Sequence, residues 1–194
     1  MVKIGKKKER ILIIAAALFL LLISFFINNK AAFLFANARN YFFDIALNWI
    51  TNFGSLFFVL FLIPTLFSLR EKKYNHVFYL WISFLFSVII SLLLKFIFAS
   101  PRPLEGNFIG ILNYSFPSMH ALVAFAALPI LDKEFRKLRV FWILFAFFVA
   151  VSRLYFNYHY LSDVVGGAFI GYAAGLMFLN LEQKYNIFKK VYKK

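Results

Sequence analysis

Residues 77–98 read VFYLWISFLFSVIISLLLKFIF, an unbroken apolar run whose one charge, Lys95, stands near its end. A helix needs about 20 such residues to cross the hydrocarbon of a bilayer. The run does not alternate, as a membrane strand must. Five further apolar segments accompany it, and the six lie at about 11–27, 49–69, 77–98, 117–131, 140–158 and 163–181. The fourth is short and opens inside Pro117-Ser118-Met119-His120, so its outer end is expected to border a polar cavity rather than lipid. Residues 31–48 carry many aromatics together with Arg39, Asn40 and Asp44, and read as a short interfacial helix leading into the second span. The expected fold is all-α: an integral membrane bundle of six transmembrane helices with a short interfacial helix, one membrane-embedded domain over residues 1–194.

Composition excludes the alternatives. The chain is 63% hydrophobic and 22% aromatic, yet carries a net charge of +14. A soluble domain of 194 residues could not hide that much apolar surface, and disorder requires low hydrophobicity. The absence of cysteine removes disulfides, thiolate chemistry and cysteine-held metals. Met1–Arg10 is basic and Ala36-Asn37-Ala38 resembles a signal-peptide cleavage site. The run Ile11–Ile27 nevertheless exceeds the roughly 7–15 residues of a signal core, and polar Asn28-Asn29-Lys30 separates it from that site, so the segment reads as an uncleaved helix.

The cations fall into two populations. Seventeen of the 22 lie at the two termini and in the turns after spans two and four, including Arg70, Lys72, Lys73, Lys133, Arg136, Lys137 and Arg139. The positive-inside rule then puts both termini in the cytoplasm and the remaining five cations (Lys30, Arg39, Lys95, Arg102 and Arg153) on the outer side. The lysine runs read as topology signals and contacts to anionic lipid. No aromatic-interleaved basic module points to nucleic acid.

One cation near a span end can snorkel to the interface. Lys95, Arg102 and Arg153 on one side, with Asp44, Glu105 and Asp163 the only outer acids, call instead for an anion from elsewhere. Two arginine forks and a lysine point charge suit a phosphate. Of the three histidines, His76 sits in a cytoplasmic turn and reads as solvated. His120 and His159 both map to the outer side, and Asp163 follows His159 by one helical turn, where a carboxylate can hold the imidazole. Two histidines suit phosphoryl transfer to water, one attacking phosphorus and the other protonating the leaving oxygen. Gly167, Gly171 and Gly175 recur every four residues in the last span, a small face for close helix packing within the chain.

The spacings Lys95-x6-Arg102-Pro103, Pro117-Ser118-Met119-His120 and Ser152-Arg153-x5-His159-x3-Asp163 resemble the three signature blocks of the type 2 phosphatidic acid phosphatases, or lipid phosphate phosphatases. The second block commonly reads Pro-Ser-Gly-His, so Met119 is a departure, and activity would require an ordinary φ there. The resemblance implies a metal-independent lipid phosphatase without cofactor. His159 would be the nucleophile, Asp163 its orienting carboxylate and His120 the general acid. Lys95, Arg102, Arg153, Ser118 and the Met119 N–H would bind phosphate. The implied partners are the bilayer and a membrane lipid phosphate. The lead substrate is a polyprenyl diphosphate such as undecaprenyl diphosphate. Phosphatidylglycerophosphate, phosphatidate, phosphotransfer to another lipid, and lipid transport without catalysis stand as the alternatives.

Overall fold

The computed structural model describes residues 2–104 and 109–185, with side chains from Ala15 onward. Glu105 and Gly106 of the outer loop, and the terminal cations Lys3 to Arg10 and Lys189 to Lys194, lie outside the residues so described. Among the described residues every regular element is helical. In chain order these are α1 (Val2–Asn37), α2 (Tyr41–Thr51), α3 (Phe53–Phe57), α4 (Ile63–Arg70), α5 (Tyr74–Phe98), α6 (Met119–Glu134), α7 (Arg139–Tyr155) and α8 (Leu161–Lys184). A π turn at Phe58–Leu62 joins α3 to α4, with the Ile63 N–H reaching back to the Phe58 carbonyl. It directly precedes Pro64 (whose ring nitrogen has no hydrogen for the regular ladder), and the two helices continue as one span.

Among the described residues, five helices are long and apolar enough to cross a bilayer: Ala15–Asn37, Phe53–Arg70, Tyr74–Phe98, Arg136–Tyr155 and Leu161–Lys184. The sixth expected span, α6, has 16 residues. At about 1.5 Å per residue it reaches roughly 24 Å, short of a hydrocarbon core of about 30 Å. It need not meet lipid along its length, because residues 121–124 and 126–131 are buried by the surrounding helices.

The first span and the interfacial helix differ from expectation. The helix does not stop at Asn28-Asn29-Lys30 but runs on to Asn37. Asn28 is a clamp within it: its Nδ2 donates to Ser162 Oγ at 2.8 Å, and its Oδ1 accepts from the Ser162 N–H at 2.9 Å. The interfacial segment is therefore shorter, Tyr41–Thr51, started by Asn40, whose side chain accepts from the Phe43 N–H. Tyr41, Phe42 and Trp49 on α2 are exposed. Tyr155 ties the helix to α7, donating to Asp44 Oδ1 at 2.8 Å and accepting from the Asn40 N–H at 2.9 Å.

The cations of the two basic turns pair with acids at the ends of α6 and α8. Lys73 pairs with Glu134, Lys133 with Glu182 at 2.9 Å, and Arg139 with Asp132 at 3.0 Å. His76 is not the solvated loop residue expected. It lies in the first turn of α5 and is 1% exposed, its ring edge-on to Phe135 and its Nδ1 4.0 Å from Glu134 Oε2. The turn after α6 covers the helix face that carries it.

The glycine face of α8 packs inside the chain. A Cβ at Gly167 would lie 2.6 Å from the Ser118 carbonyl oxygen, one at Gly171 2.1 Å from that of Leu122, and one at Gly175 2.3 Å from that of Ala126. These are successive turns of α6, so hydrogen-only residues let the two backbones touch. Gly171→Ala should force the helices apart and cost on the order of 1–3 kcal/mol, the range for overpacking a core. The measurement is the thermal midpoint of the purified protein in detergent, and an unchanged midpoint would contradict the contact.

Candidate active site

At the end of the bundle opposite those basic turns, a cavity of about 320 Å³ collects the polar residues singled out in the sequence. Lys95, Arg102, Met119, His120, Arg153 and His159 line it, joined by Phe53 and Leu112. Ser118 and Asp163 do not line it but hold its frame together. The Ser118 N–H donates to the Asp163 carbonyl at 3.0 Å, which stitches the start of α6 to the start of α8.

Each cation is held by backbone or hydroxyl oxygen. Lys95, on the last turn of α5, is 1% exposed; its Nζ donates to the Tyr114 carbonyl and, at 3.0 Å, to that of Ser115. Those residues come within reach because α5 ends in a left-handed residue, Ala99, and the Ser115 N–H returns to the Ser100 carbonyl at 2.8 Å. Arg102 reaches across the loop, Nη1 donating to the Tyr158 carbonyl at 2.5 Å and Nη2 to that of Leu112 at 2.8 Å. Arg153, on the last turn of α7, is 5% exposed and donates from Nη1 to Thr51 Oγ1 at 2.6 Å, with the Tyr158 ring 4.6 Å away.

His159 sits in the turn between α7 and α8 and is 3% exposed. Its two ring nitrogens have different neighbours. Arg102 Nη1 is 3.3 Å from Nε2, and Asp163 Oδ2 is 3.5 Å from Nδ1. A guanidinium can only donate and a carboxylate can only accept, so these neighbours favour the tautomer with hydrogen on Nδ1 and a bare Nε2. Asp163 is itself fixed, its Oδ2 accepting from the Tyr160 N–H at 2.8 Å in the first turn of α8. Burial, followed by the facing charges of Arg153, Arg102 and Lys95, pushes the His159 pKa well below the usual histidine value. Burial likewise lowers that of Arg102.

His120 occupies the first turn of α6, edge-on to Phe53 at 5.3 Å. Ser118 is the N-cap of α6 with no side-chain cap bond, so that helix end faces the site through its backbone. Met119 is helical and is not among the positive-φ residues, which are Lys72, Ala99, Asn157 and Gly110 among those described. The side chain that replaces glycine thus needs no strained backbone.

Thr51, Phe53, Leu112 and Tyr158 also reach this cluster, and the motif reading did not include them. Tyr158 adjoins His159 inside the third block. Thr51 and Phe53 come from an apolar stretch without a motif, and only the break between α2 and α3 marks them.

The sequence matches the PAP2 superfamily over residues 76–187. It is 25% identical to undecaprenyl-diphosphatase BcrC of Bacillus subtilis over 142 residues, 70% of this chain and 72% of that one. It is 40% identical to a lipid A 4'-phosphatase of Bacteroides thetaiotaomicron over 74 residues, 37% of this chain and only 33% of that protein's length. Among solved structures, LpxE of Aquifex aeolicus superposes with a TM-score of 0.67 at 28% identity, over 79% of this chain and 95% of that one. A PAP2-type phosphatidylglycerolphosphate phosphatase from Bacillus subtilis superposes with a TM-score of 0.71, over 90% and 98% of the two chains; at 19% identity that likeness concerns the fold. The family match spans more than half of the residues and includes all three blocks, and on that ground the chain belongs to the PAP2 superfamily.

Proposed function

We propose that this membrane protein is a lipid phosphatase that releases phosphate from a lipid mono- or diphosphate through a phosphohistidine at His159. The observation that carries the reading is the placing of two histidines, two buried cations and a half-buried third around one cavity. The bare Nε2 of His159 attacks phosphorus, and the bond from phosphorus to the leaving oxygen breaks. His120 gives that oxygen its proton. Water then attacks the phosphohistidine, the P–N bond breaks, His120 takes the water's proton, and inorganic phosphate leaves. Asp163 holds the Nδ1 hydrogen and stabilises the charge that His159 acquires. Lys95, Arg102 and Arg153 stabilise the charge on the equatorial oxygens, and the Met119 N–H and Ser118 at the start of α6 add donors. The cations supply the positive charge that a metal supplies in other phosphatases.

The lead substrate is a polyprenyl diphosphate such as undecaprenyl diphosphate. It is supported by the Bacillus subtilis relative of that name, whose alignment covers about 70% of each chain. The shorter but closer match to a lipid A 4'-phosphatase supports a saccharolipid phosphate as the second reading. The 17 cations assigned to the other side support an orientation with both termini in the cytoplasm and this site at the outer headgroup level, where a lipid presents its phosphate with its tail still in the bilayer.

Purified protein should release phosphate from a panel of lipid mono- and diphosphates, with undecaprenyl diphosphate turned over fastest. His159→Ala should abolish release while still inserting, and phosphate release by that variant at the wild-type rate would refute the assignment. EDTA should leave the rate unchanged, whereas a strict Mg²⁺ requirement would count against the mechanism. The nucleophile must be neutral, and its pKa is pushed down, so the neutral form is complete at pH 7 and is lost only on acidification. The acid limb of the kcat/KM profile should therefore fall below about pH 6.5, the ordinary histidine value; a limb above that pH would contradict the role.

A further inference from the structure

Thr51 lies outside the matched family region and outside all three motif blocks. It closes α2 and is 8% exposed. The chain breaks there because Asn52 is extended, at φ −65° and ψ 127°, and its side chain accepts from the Gly54 N–H at 2.8 Å to start α3. At this break Thr51 meets one of the groups in the cavity. Its Oγ1 accepts from Arg153 Nη1 at 2.6 Å, with its carbonyl oxygen 3.5 Å from the same atom.

The contact has a chemical consequence. An arginine side chain is long and rotamer-rich, and its fork binds phosphate well only when its plane is already set. The Thr51 hydroxyl at one edge and the Tyr158 ring over its face set that plane.

We infer that Thr51 is a positioning residue: its hydroxyl aims Arg153 at the substrate phosphate. The inference rests on the phosphatase reading of the cavity. It also makes α2, with its exposed Tyr41, Phe42 and Trp49, a strut that runs from the membrane interface to the phosphate site.

The test compares Thr51→Val, which keeps the shape and the carbonyl but loses the hydroxyl, with Thr51→Ser, which keeps both polar groups. The full chain in mixed lipid–detergent micelles is titrated with inorganic phosphate, and kcat and KM are measured on the best lipid of the panel. Thr51→Val should weaken phosphate binding and raise KM by about tenfold, the scale of one hydrogen bond to a charged group. The pH profile of kcat should stay in place because the substitution removes no titrating group. Thr51→Ser should stay within about twofold of wild type, since the charged hydrogen bond is retained. In an Arg153→Ala background Thr51→Val should add no further loss of phosphate affinity, because its effect runs through that side chain. Wild-type binding by Thr51→Val, or a full additional loss in the Arg153→Ala background, would overturn the inference. Thr51→Ala gives the same comparison if the valine variant does not fold. A wild-type chain that releases no phosphate from the panel refutes the phosphatase reading and the inference with it. An active wild type with an unaffected Thr51→Val refutes the positioning role alone.

Discussion

The contact between α6 and α8 is the constraint on which the rest of the structure depends. His120 stands on the first turn of α6, and His159 and Asp163 stand at the start of α8. The two histidines share a cavity, with Asp163 beside His159, only because Gly167, Gly171 and Gly175 let α8 lie against the carbonyls of Ser118, Leu122 and Ala126. A single methyl at any of these positions would fall inside van der Waals contact. The bond from the Ser118 N–H to the Asp163 carbonyl then sets the axial register of the two helices. A short α6 suits this role, since it is sheathed by its neighbours and its N-terminal end opens at the polar cavity instead of in hydrocarbon.

Around that contact the chain buries Lys95 and Arg153 and half-buries Arg102, with one acid among the described residues, Asp163, nearby. Burying unpaired charge is costly, and the fold meets the cost with carbonyl dipoles. Lys95 rests on Tyr114 and Ser115, Arg102 on Tyr158 and Leu112, and Arg153 on the Thr51 hydroxyl. These oxygens engage donors on all three cations without cancelling the charge. The cavity therefore stays electropositive, the condition under which a phosphate dianion gains most from entering it. The same carbonyls anchor the outer loop and the turn before α8, so charge placement and loop placement are one problem with one solution.

The opposite end of the bundle uses its cations differently. Lys73, Lys133 and Arg139 pair with Glu134, Glu182 and Asp132, and His76 is packed beneath that layer. Positive residues that read as topology signals thus also fasten the turns to the ends of α6 and α8. Surface pairs of this kind contribute little each, roughly 0–1 kcal/mol, so their main effect is on where the turns lie.

By itself the sequence determined the all-helical membrane fold, because apolar runs of about 20 residues without alternation admit no other element in a bilayer. It also determined which residues are chemically out of place. Six of the eight named for the site line one cavity, since their spacing puts each at a helix end or in a turn on the same side. Asn28 looked like the end of a span, and only the tertiary structure made it a clamp, because its partner Ser162 lies 134 residues further on. His76 looked solvated, and only the packing of Phe135 and Glu134 over the start of α5 buried it. Thr51 carried no motif at all; its place beside Arg153 comes from a helix break and a contact 102 residues apart. Local patterns fix periodicity and hydropathy. Which polar group meets which is decided by helix packing, and helix packing is a property of the folded chain.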